Sequence, residues 1–127
     1  MKPKFPKVKK VKKSTLKNKA DKVFSLFVRS KGYCELAYKD RIRCGGALQT
    51  MHIITRGVTG LRYETNNALC GCQGHHVYYT FHPDEWVRLV ADLFPEKWKF
   101  VSRYKNTRVK KTEDLYREVI ERYKETP

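Results

Sequence analysis

The sequence lacks several features that would assign it to a large functional class. It has no run of about 18 apolar residues, the length that a helix needs to span a bilayer. Its first residues are charged with no apolar stretch behind them, so we expect no secretory signal and a cytoplasmic location. It also has no Walker loop, dinucleotide-binding glycine pattern or serine nucleophile motif. A membrane partner and the commonest nucleotide-dependent enzymes are therefore not expected.

Acidic residues are scarce. The 127 residues include 13 Asp and Glu against 28 Lys and Arg, which gives a net charge of +15. Ten of these lysines lie in residues 1–22, where Asp21 is the one acidic side chain. Such a charge implies a polyanionic partner, with nucleic acid first. We predict a flexible basic arm over residues 1–17 and a single domain over 18–127. The predicted phosphate contacts of the arm are Lys9, Lys10, Lys12 and Lys13. The alternative role for the arm is a solubilising tail.

Apolar spacing predicts a mixture of helices and short strands, which is an α+β fold. The predicted elements are a helix over 18–30 capped by Asn18, strands over 47–54 and 61–63, a helix opened by Pro83, a short helix over 96–104 and a last helix capped by Thr112.

The four cysteines include no C-x-x-C pair, and without a secretory signal disulfides are not the default. Cys72 and His75 have the spacing of a zinc knuckle, in which two ligands three positions apart reach one tetrahedral ion. Cys34 and Cys44, ten positions apart, would supply the other half of the site, with Cys70 as a substitute ligand. The alternative is a set of reduced cysteines that bind no metal.

The order of the remaining polar residues resembles that of the HNH (ββα-metal) nucleases, particularly the small phage types and the NinG group. Residues 67–76 read Asn-Ala-Leu-Cys-Gly-Cys-Gln-Gly-His-His, which matches the family register with His75 in place of the last zinc cysteine. Residues 48–56 resemble the family's first strand, and residues 60–67 resemble its return toward the Asn. The likeness covers roughly residues 24–86. It implies a ββα-metal core with a zinc-binding knuckle, flanked by an N-terminal helix and C-terminal helices.

The resemblance also implies an activity, metal-dependent hydrolysis of DNA phosphodiester bonds. By this likeness His52 would be the general base and Asn67 would orient His52 or the loop by hydrogen bonding. His76 would hold a catalytic divalent ion, Mg²⁺, Mn²⁺, Ni²⁺ or Zn²⁺, beside a structural Zn²⁺. Arg56 and Arg62 would clamp the phosphate. In a phage-encoded protein the location would be the cytoplasm of the bacterial host.

Two positions depart from the family pattern. Many members carry a metal ligand just before the catalytic His and another four residues after the metal-binding His. Here those positions are Met51 and Thr80, and neither is a good ligand for a hard cation. His82 or Glu64 could complete the shell. The alternative function is that of a non-catalytic, zinc-containing protein that binds nucleic acid.

A basic link joins the last two predicted helices, and the sequence supports two roles for it. It contacts the DNA backbone, or it is an ordinary solvated connector. Its basic residues are Lys105, Arg108, Lys110 and Lys111. The sequence leaves open whether the protein is a monomer or a dimer.

Overall fold

The computed structural model describes residues 11–124. In this part of the chain, five α-helices, one 3₁₀ turn and a two-stranded antiparallel sheet form an α+β fold. The elements are α1 (Lys13–Arg29), β1 (Leu48–His52), a 3₁₀ turn (Thr65–Asn67), β2 (Ala68–Cys72), α2 (Gln73–Thr80), α3 (Pro83–Leu93), α4 (Pro95–Tyr104) and α5 (Glu113–Tyr123). No helix within the described residues is both long and apolar enough to cross a membrane.

The two strands pair antiparallel, with Leu48 opposite Cys72 and His52 opposite Ala68. Every residue of β2 is buried. Gly71 lies against the side chain of Met51, and a Cβ at that position would overlap the Met51 sulfur. The hairpin therefore places His52 at the end of β1, while the end of β2 leads directly into α2.

The prediction of a second strand over residues 61–63 is wrong. This stretch forms turns in which Leu61 and Tyr63 are buried, and the strand that pairs with β1 is β2. The residues of β2 carry no strand signal, because β2 is buried on both faces and they show no alternation of polar and apolar side chains.

Helix α1 begins five residues earlier than predicted. Its buried stripe starts at Leu16, one turn before Ala20, and the first helical residue is Lys13. The predicted boundary of the arm at residue 17 is therefore wrong, because residues 13–17 belong to the helix. Lys12 and Lys13 are exposed at the helix start. The arm lysines Lys9 and Lys10 lie outside the described residues.

Two hydrophobic clusters hold the elements together. One joins α1 to α5 and the sheet, where Phe24 of α1 packs edge-on against Tyr63 and Tyr123. The other joins the sheet to α3 and α4 through Leu69, Val90 and other buried residues. The sheet lies between the clusters, so the end of β1 is supported from both sides.

The starts of the later helices follow the sequence signals. Pro83 and Pro95 are the first residues of α3 and α4, where a missing N–H costs nothing. The Thr112 side chain accepts a hydrogen bond from the Leu115 N–H and caps α5. The predictions of helices opened by Pro83 and capped by Thr112 are confirmed.

Candidate functional site

The first candidate site is a cluster of three cysteines and one histidine. Cys34 and Cys44 come from the loop between α1 and β1, Cys72 ends β2, and His75 lies in the first turn of α2. One ligand atom of each lies within 4.8 Å of all the others. The Nδ1 atom of His75 faces all three sulfurs, at 3.6 Å from Cys34, 3.7 Å from Cys44 and 3.1 Å from Cys72. This cluster could hold a metal ion.

The geometry of the cluster suits zinc. A tetrahedral zinc ion with bonds of about 2.3 Å to sulfur and about 2.0 Å to nitrogen separates those two ligands by about 3.5 Å. The three observed Nδ1–Sγ distances of 3.1–3.7 Å bracket that value. Backbone N–H groups also donate to the sulfurs, from Cys72 to Cys34 at 3.4 Å and from His75 to Cys72 at 3.5 Å. Such donors stabilise thiolates, which are the ligand form of cysteine.

The thiols of the cluster differ in how readily they ionise. Burial opposes ionisation of Cys72, but the side-chain and backbone hydrogen bonds from His75 outweigh it and lower the pKa of Cys72 to about 6. Desolvation, and then the neighbouring sulfurs of Cys72 and Cys34, raise the pKa of Cys44. A divalent cation at the centre would stabilise all three thiolates together.

Asp40 orients the histidine of the cluster. The His75 Nε2–H group donates to Oδ1 of Asp40 at 2.9 Å, and the Tyr79 hydroxyl donates to Oδ2 at 2.5 Å. With its proton on Nε2, His75 would present the lone pair of Nδ1 to an ion held between the sulfurs, in place of the hydrogen bond from Nδ1 to Cys72. This carboxylate–histidine pairing is typical of metal sites. Asp40 was not predicted, because no spacing rule links a residue in the loop between α1 and β1 to a helix residue 35 positions later.

Cys70 lies outside the cluster. It is fully buried among the residues that join α1 to α5, while its neighbour two positions on, Cys72, is in the cluster. Of the two cysteines that the sequence offered for the knuckle, the structure brings Cys72 and not Cys70 to the other ligands.

The second candidate site is an open cleft of about 760 Å³ between α1 and the end of β1. His52 and His76 both line it. Four basic side chains also line it: Lys17, Arg29, Arg56 and Arg62. Lys17 and Arg29 were not predicted, since helical spacing alone did not say which polar face of α1 would meet the sheet. The cleft therefore brings two imidazoles together with four positively charged side chains.

His52 is held in one tautomer. Its Nε2–H donates to the backbone carbonyl of Arg62 at 3.2 Å, and because a carbonyl only accepts, the proton sits on Nε2. Nδ1 keeps its lone pair. Burial lowers the pKa of His52 to about 4, outweighing the hydrogen bond to Arg62. At neutral pH the ring is therefore uncharged.

Asn67 holds the loop that follows β1. Its side chain is fully buried and makes three hydrogen bonds to that loop: it accepts from the Ile54 N–H at 2.7 Å, and donates to the carbonyls of Ile54 at 2.9 Å and Leu61 at 3.1 Å. These contacts fix residues 54–61 relative to β2. Of the two roles that the sequence left open for Asn67, its hydrogen bonds are to the loop and not to His52.

His76 is also oriented by a partner. Its Nδ1 atom lies 2.6 Å from Oε1 of Gln49 on β1 and donates to it. Nε2 is the nitrogen left with a lone pair. Burial lowers the pKa of His76 below its ordinary value, which favours the uncharged, ligand form. Gln49 was not predicted, because its position beside α2 depends on the pairing of the two strands.

His82 and Glu64, the two residues considered for completing a shell around His76, lie outside the cleft. Met51, at the position where many family members carry a ligand, lines a small cavity with His52 and His76, but it is 2% exposed and packs over Gly71. His82 stacks on Tyr78 and bonds the Tyr78 carbonyl at 2.7 Å, and neither it nor Glu64 lines the cleft. In the described part of the chain, the cysteine–histidine cluster is the one group of three or more His, Cys, Asp or Glu ligands.

The two arginines predicted to bind phosphate differ in their exposure and in how closely they pair with Asp21. Arg62 grips Asp21 of α1 with two hydrogen bonds, from Nε at 3.0 Å and from Nη2 at 2.6 Å, and its side chain is 12% exposed. Tyr63 donates to the same carboxylate. The bonds from Arg62 and Tyr63 outweigh burial and lower the pKa of Asp21. Arg56 is 58% exposed and lies 3.9 Å from Asp21, so it is the arginine open to a ligand.

Comparisons with known proteins give no match: no family model fits the sequence, and neither a curated protein nor a solved structure resembles it significantly.

Proposed function

We propose that the protein is a metal-dependent endonuclease of the HNH type, which hydrolyses DNA phosphodiester bonds in the cleft between α1 and β1. The observation that carries this proposal is the pairing of two oriented, uncharged imidazoles in a basic cleft. His52 presents Nδ1 and His76 presents Nε2, while Lys17, Arg29 and Arg56 supply the positive charge that attracts phosphate.

The order of elements supports a ββα-metal unit. His52 ends β1, Asn67 precedes β2, and His76 lies in α2, which follows β2 directly. Asn67 fixes the loop between the strands, and the Arg62 carbonyl in that loop sets the tautomer of His52. One buried amide therefore positions the general base through the loop.

The chemistry follows from the two nitrogens. His52 Nδ1 takes a proton from the attacking water, whose oxygen forms the new bond to phosphorus as the bond to the 3′ oxygen breaks. The family resemblance implies 5′-phosphate and 3′-hydroxyl ends. His76 would hold a divalent ion through Nε2, and such an ion neutralises charge on the phosphate and the leaving oxygen. Substrate phosphate and water would supply the remaining ligands.

The cysteine–histidine cluster is proposed as a structural zinc site. It joins the loop between α1 and β1 to the start of α2, the helix that carries His76. A closed set of four protein ligands is typical of structural zinc sites, whereas a catalytic site keeps an open position. The ion would therefore stabilise the fold that supports the cleft.

Cleavage of supercoiled plasmid tests the proposal. Wild-type protein should nick or linearise the plasmid with at least one of Mg²⁺, Mn²⁺, Ni²⁺ or Zn²⁺. The His52→Ala variant should be slower by about 10²–10⁴-fold, the usual contribution of a general base. His82→Ala is the matched control, because His82 stacks on Tyr78 outside the cleft and should cleave like wild type. Equal cleavage by wild type and His52→Ala, with both folded, would refute the proposal.

A second candidate is a zinc-containing protein that binds nucleic acid without cutting it. The observation in its favour is that His76 has no group of further His, Cys, Asp or Glu ligands around it among residues 11–124. DNA binding without cleavage across the same panel of metals would favour this function.

A further inference from the structure

One segment of the chain concentrates positive charge. Residues 97–112 contain seven Lys and Arg and no Asp or Glu. Within it, residues 105–111 form neither helix nor strand, and we call them the basic strap. All four basic side chains of the strap are exposed, and none has an ion-pair partner among the described residues. In the preceding helix, by contrast, Lys99 pairs with Glu96 at 3.5 Å.

The strap is fixed to the loop between the strands. The Gly60 N–H donates to the Thr107 carbonyl at 3.1 Å, and the Val109 N–H donates to the Thr59 hydroxyl at 2.9 Å. The contact is close enough that a Cβ on Gly60 would lie 2.7 Å from the Thr107 carbonyl oxygen. A solvated connector has no need of such anchors. Here they hold Arg108 and Lys110 at a defined position.

The same loop lines the cleft. Thr55, Arg56 and Gly57 face the cleft, while Thr59 and Gly60, a few residues on, hold the strap. No strap residue lines the cleft. The loop therefore lies between two basic surfaces, one in the cleft and one on the strap. Two rows of phosphates separated by a groove are the feature of a nucleic-acid duplex that matches this arrangement.

We propose that the basic strap binds the phosphate backbone of the DNA strand opposite the one held in the cleft. This inference rests on the proposed action on DNA and adds to it the form of the substrate, a duplex that spans the loop. Arg108 and Lys110 make the contacts, and they do so by charge rather than by base recognition. A single strand in the cleft leaves the strap unoccupied.

The test uses fluorescence anisotropy to measure the affinity for a 20-base-pair duplex and for one of its single strands over a range of salt concentrations. The variant R108S/K110S should bind the duplex more weakly, with a salt slope smaller by about 1.8 (about 0.9 for each lost phosphate contact). Its affinity for the single strand should equal that of wild type.

The matched control is R88S/K99S, which also removes one Arg and one Lys. Arg88 lines a surface pocket with Glu85 and Asp92, and Lys99 is paired with Glu96, so this variant should bind both DNAs like wild type. Duplex binding by R108S/K110S that equals the control, or an equal loss on duplex and single strand, would overturn the inference. Plasmid cleavage distinguishes a failure of this inference from a failure of the proposed function. If wild type cleaves plasmid but R108S/K110S binds duplex like the control, only the role of the strap is refuted. If duplex binding depends on the strap but wild type does not cleave, only the nuclease activity is refuted.

Discussion

At the scale of single residues, the side chains that carry the proposed chemistry are each oriented by one neighbour. The Arg62 carbonyl places the proton of His52 on Nε2, and the Gln49 amide oxygen places that of His76 on Nδ1. Asp40 accepts from the Nε2–H of His75 in the cysteine–histidine cluster. The nitrogen without this hydrogen bond is Nδ1 in His52 and Nε2 in His76, and these are the atoms to which we assign the proposed roles.

The titration of His52 can be predicted from its burial. Burial lowers its pKa to about 4 in the folded protein, against an ordinary value near 6.5. Because the folded value is the lower one, the unfolded chain takes up this proton first. The stability contributed by the uncharged ring is complete above about pH 6.5 and is lost as the pH falls toward 4.

NMR of the imidazole resonances measures this directly. The His52 signals should keep the pattern of the Nε2–H tautomer from pH 8 to about pH 5, and the His52-dependent part of the cleavage rate should not fall over the same range. A His52 that titrates near pH 6.5 would contradict the buried, hydrogen-bonded ring.

Removing the negative charge that faces His75 should weaken metal binding. In Asp40→Asn the ring loses its carboxylate acceptor, and loss of such a partner usually costs about 10–100-fold in metal affinity. Competition with a chromophoric chelator gives the zinc affinity. Asp92→Asn is the control, since Asp92 is exposed and lies outside the cluster. Unchanged affinity in Asp40→Asn would show that the Asp40–His75 contact does not support the metal.

At the scale of elements, the sequence predicted what local patterns encode. The apolar stripe of α1, the proline that opens α3 and the threonine that caps α5 are local signals, and the structure has all three helices. The second strand could not be read in the same way, because β2 is buried on both faces and its pairing partner is distant in sequence. The start of α1 was placed too late, because Lys-rich residues around Leu16 masked the first turn.

The residues of the candidate sites also differ in whether a local sequence pattern could predict them. Cys72 and His75 share one local motif, and the structure brings Cys34 and Cys44 to them as the sequence proposed. Asp40 and Gln49 reach their histidines only through tertiary packing, so no spacing rule points to them. The wall of the cleft that α1 provides depends likewise on how the helix packs on β1.

The contact between the loop and the strap should be sensitive to one methyl group. Gly60→Ala would place its Cβ 2.7 Å from the Thr107 carbonyl oxygen, so the strap or the loop must shift. Overpacking of this kind typically costs about 1–3 kcal/mol. Urea unfolding gives the free energy of unfolding, and Gly45→Ala, where the added methyl meets no atom within 4 Å, should change it far less. Equal stability of both variants would show that the strap is not held as described.

At the scale of the whole molecule, the positive charge falls into separate regions. Residues 1–22 carry a net +9 of the total +15, and the cleft and the strap hold basic side chains of the folded part. The described structure changes where the arm can be cut. Leu16 is 5% exposed and belongs to the core, so a deletion through residue 17 would damage the fold.

Deletion of residues 1–11 is the appropriate test of the arm. It removes five lysines and leaves α1 whole. DNA binding should weaken and its salt slope should become smaller, because fewer counterions are released. Cleavage at low salt should remain detectable, and the melting temperature should stay close to that of the full chain. Loss of all cleavage at low salt would show that the arm does more than add affinity.

The proposed role of His52 as the general base of a phosphodiester hydrolase can be measured by single-turnover cleavage of an end-labelled duplex. With enzyme in excess over DNA and a metal that supports cleavage, the rate reports the chemical step apart from binding. We predict that His52→Ala lowers this rate by about 10²–10⁴-fold while its affinity for the duplex and its zinc content equal those of wild type. Identical single-turnover rates for wild type and His52→Ala, or no cleavage by wild type with any of the four metals, would show that His52 is not the general base of such an enzyme.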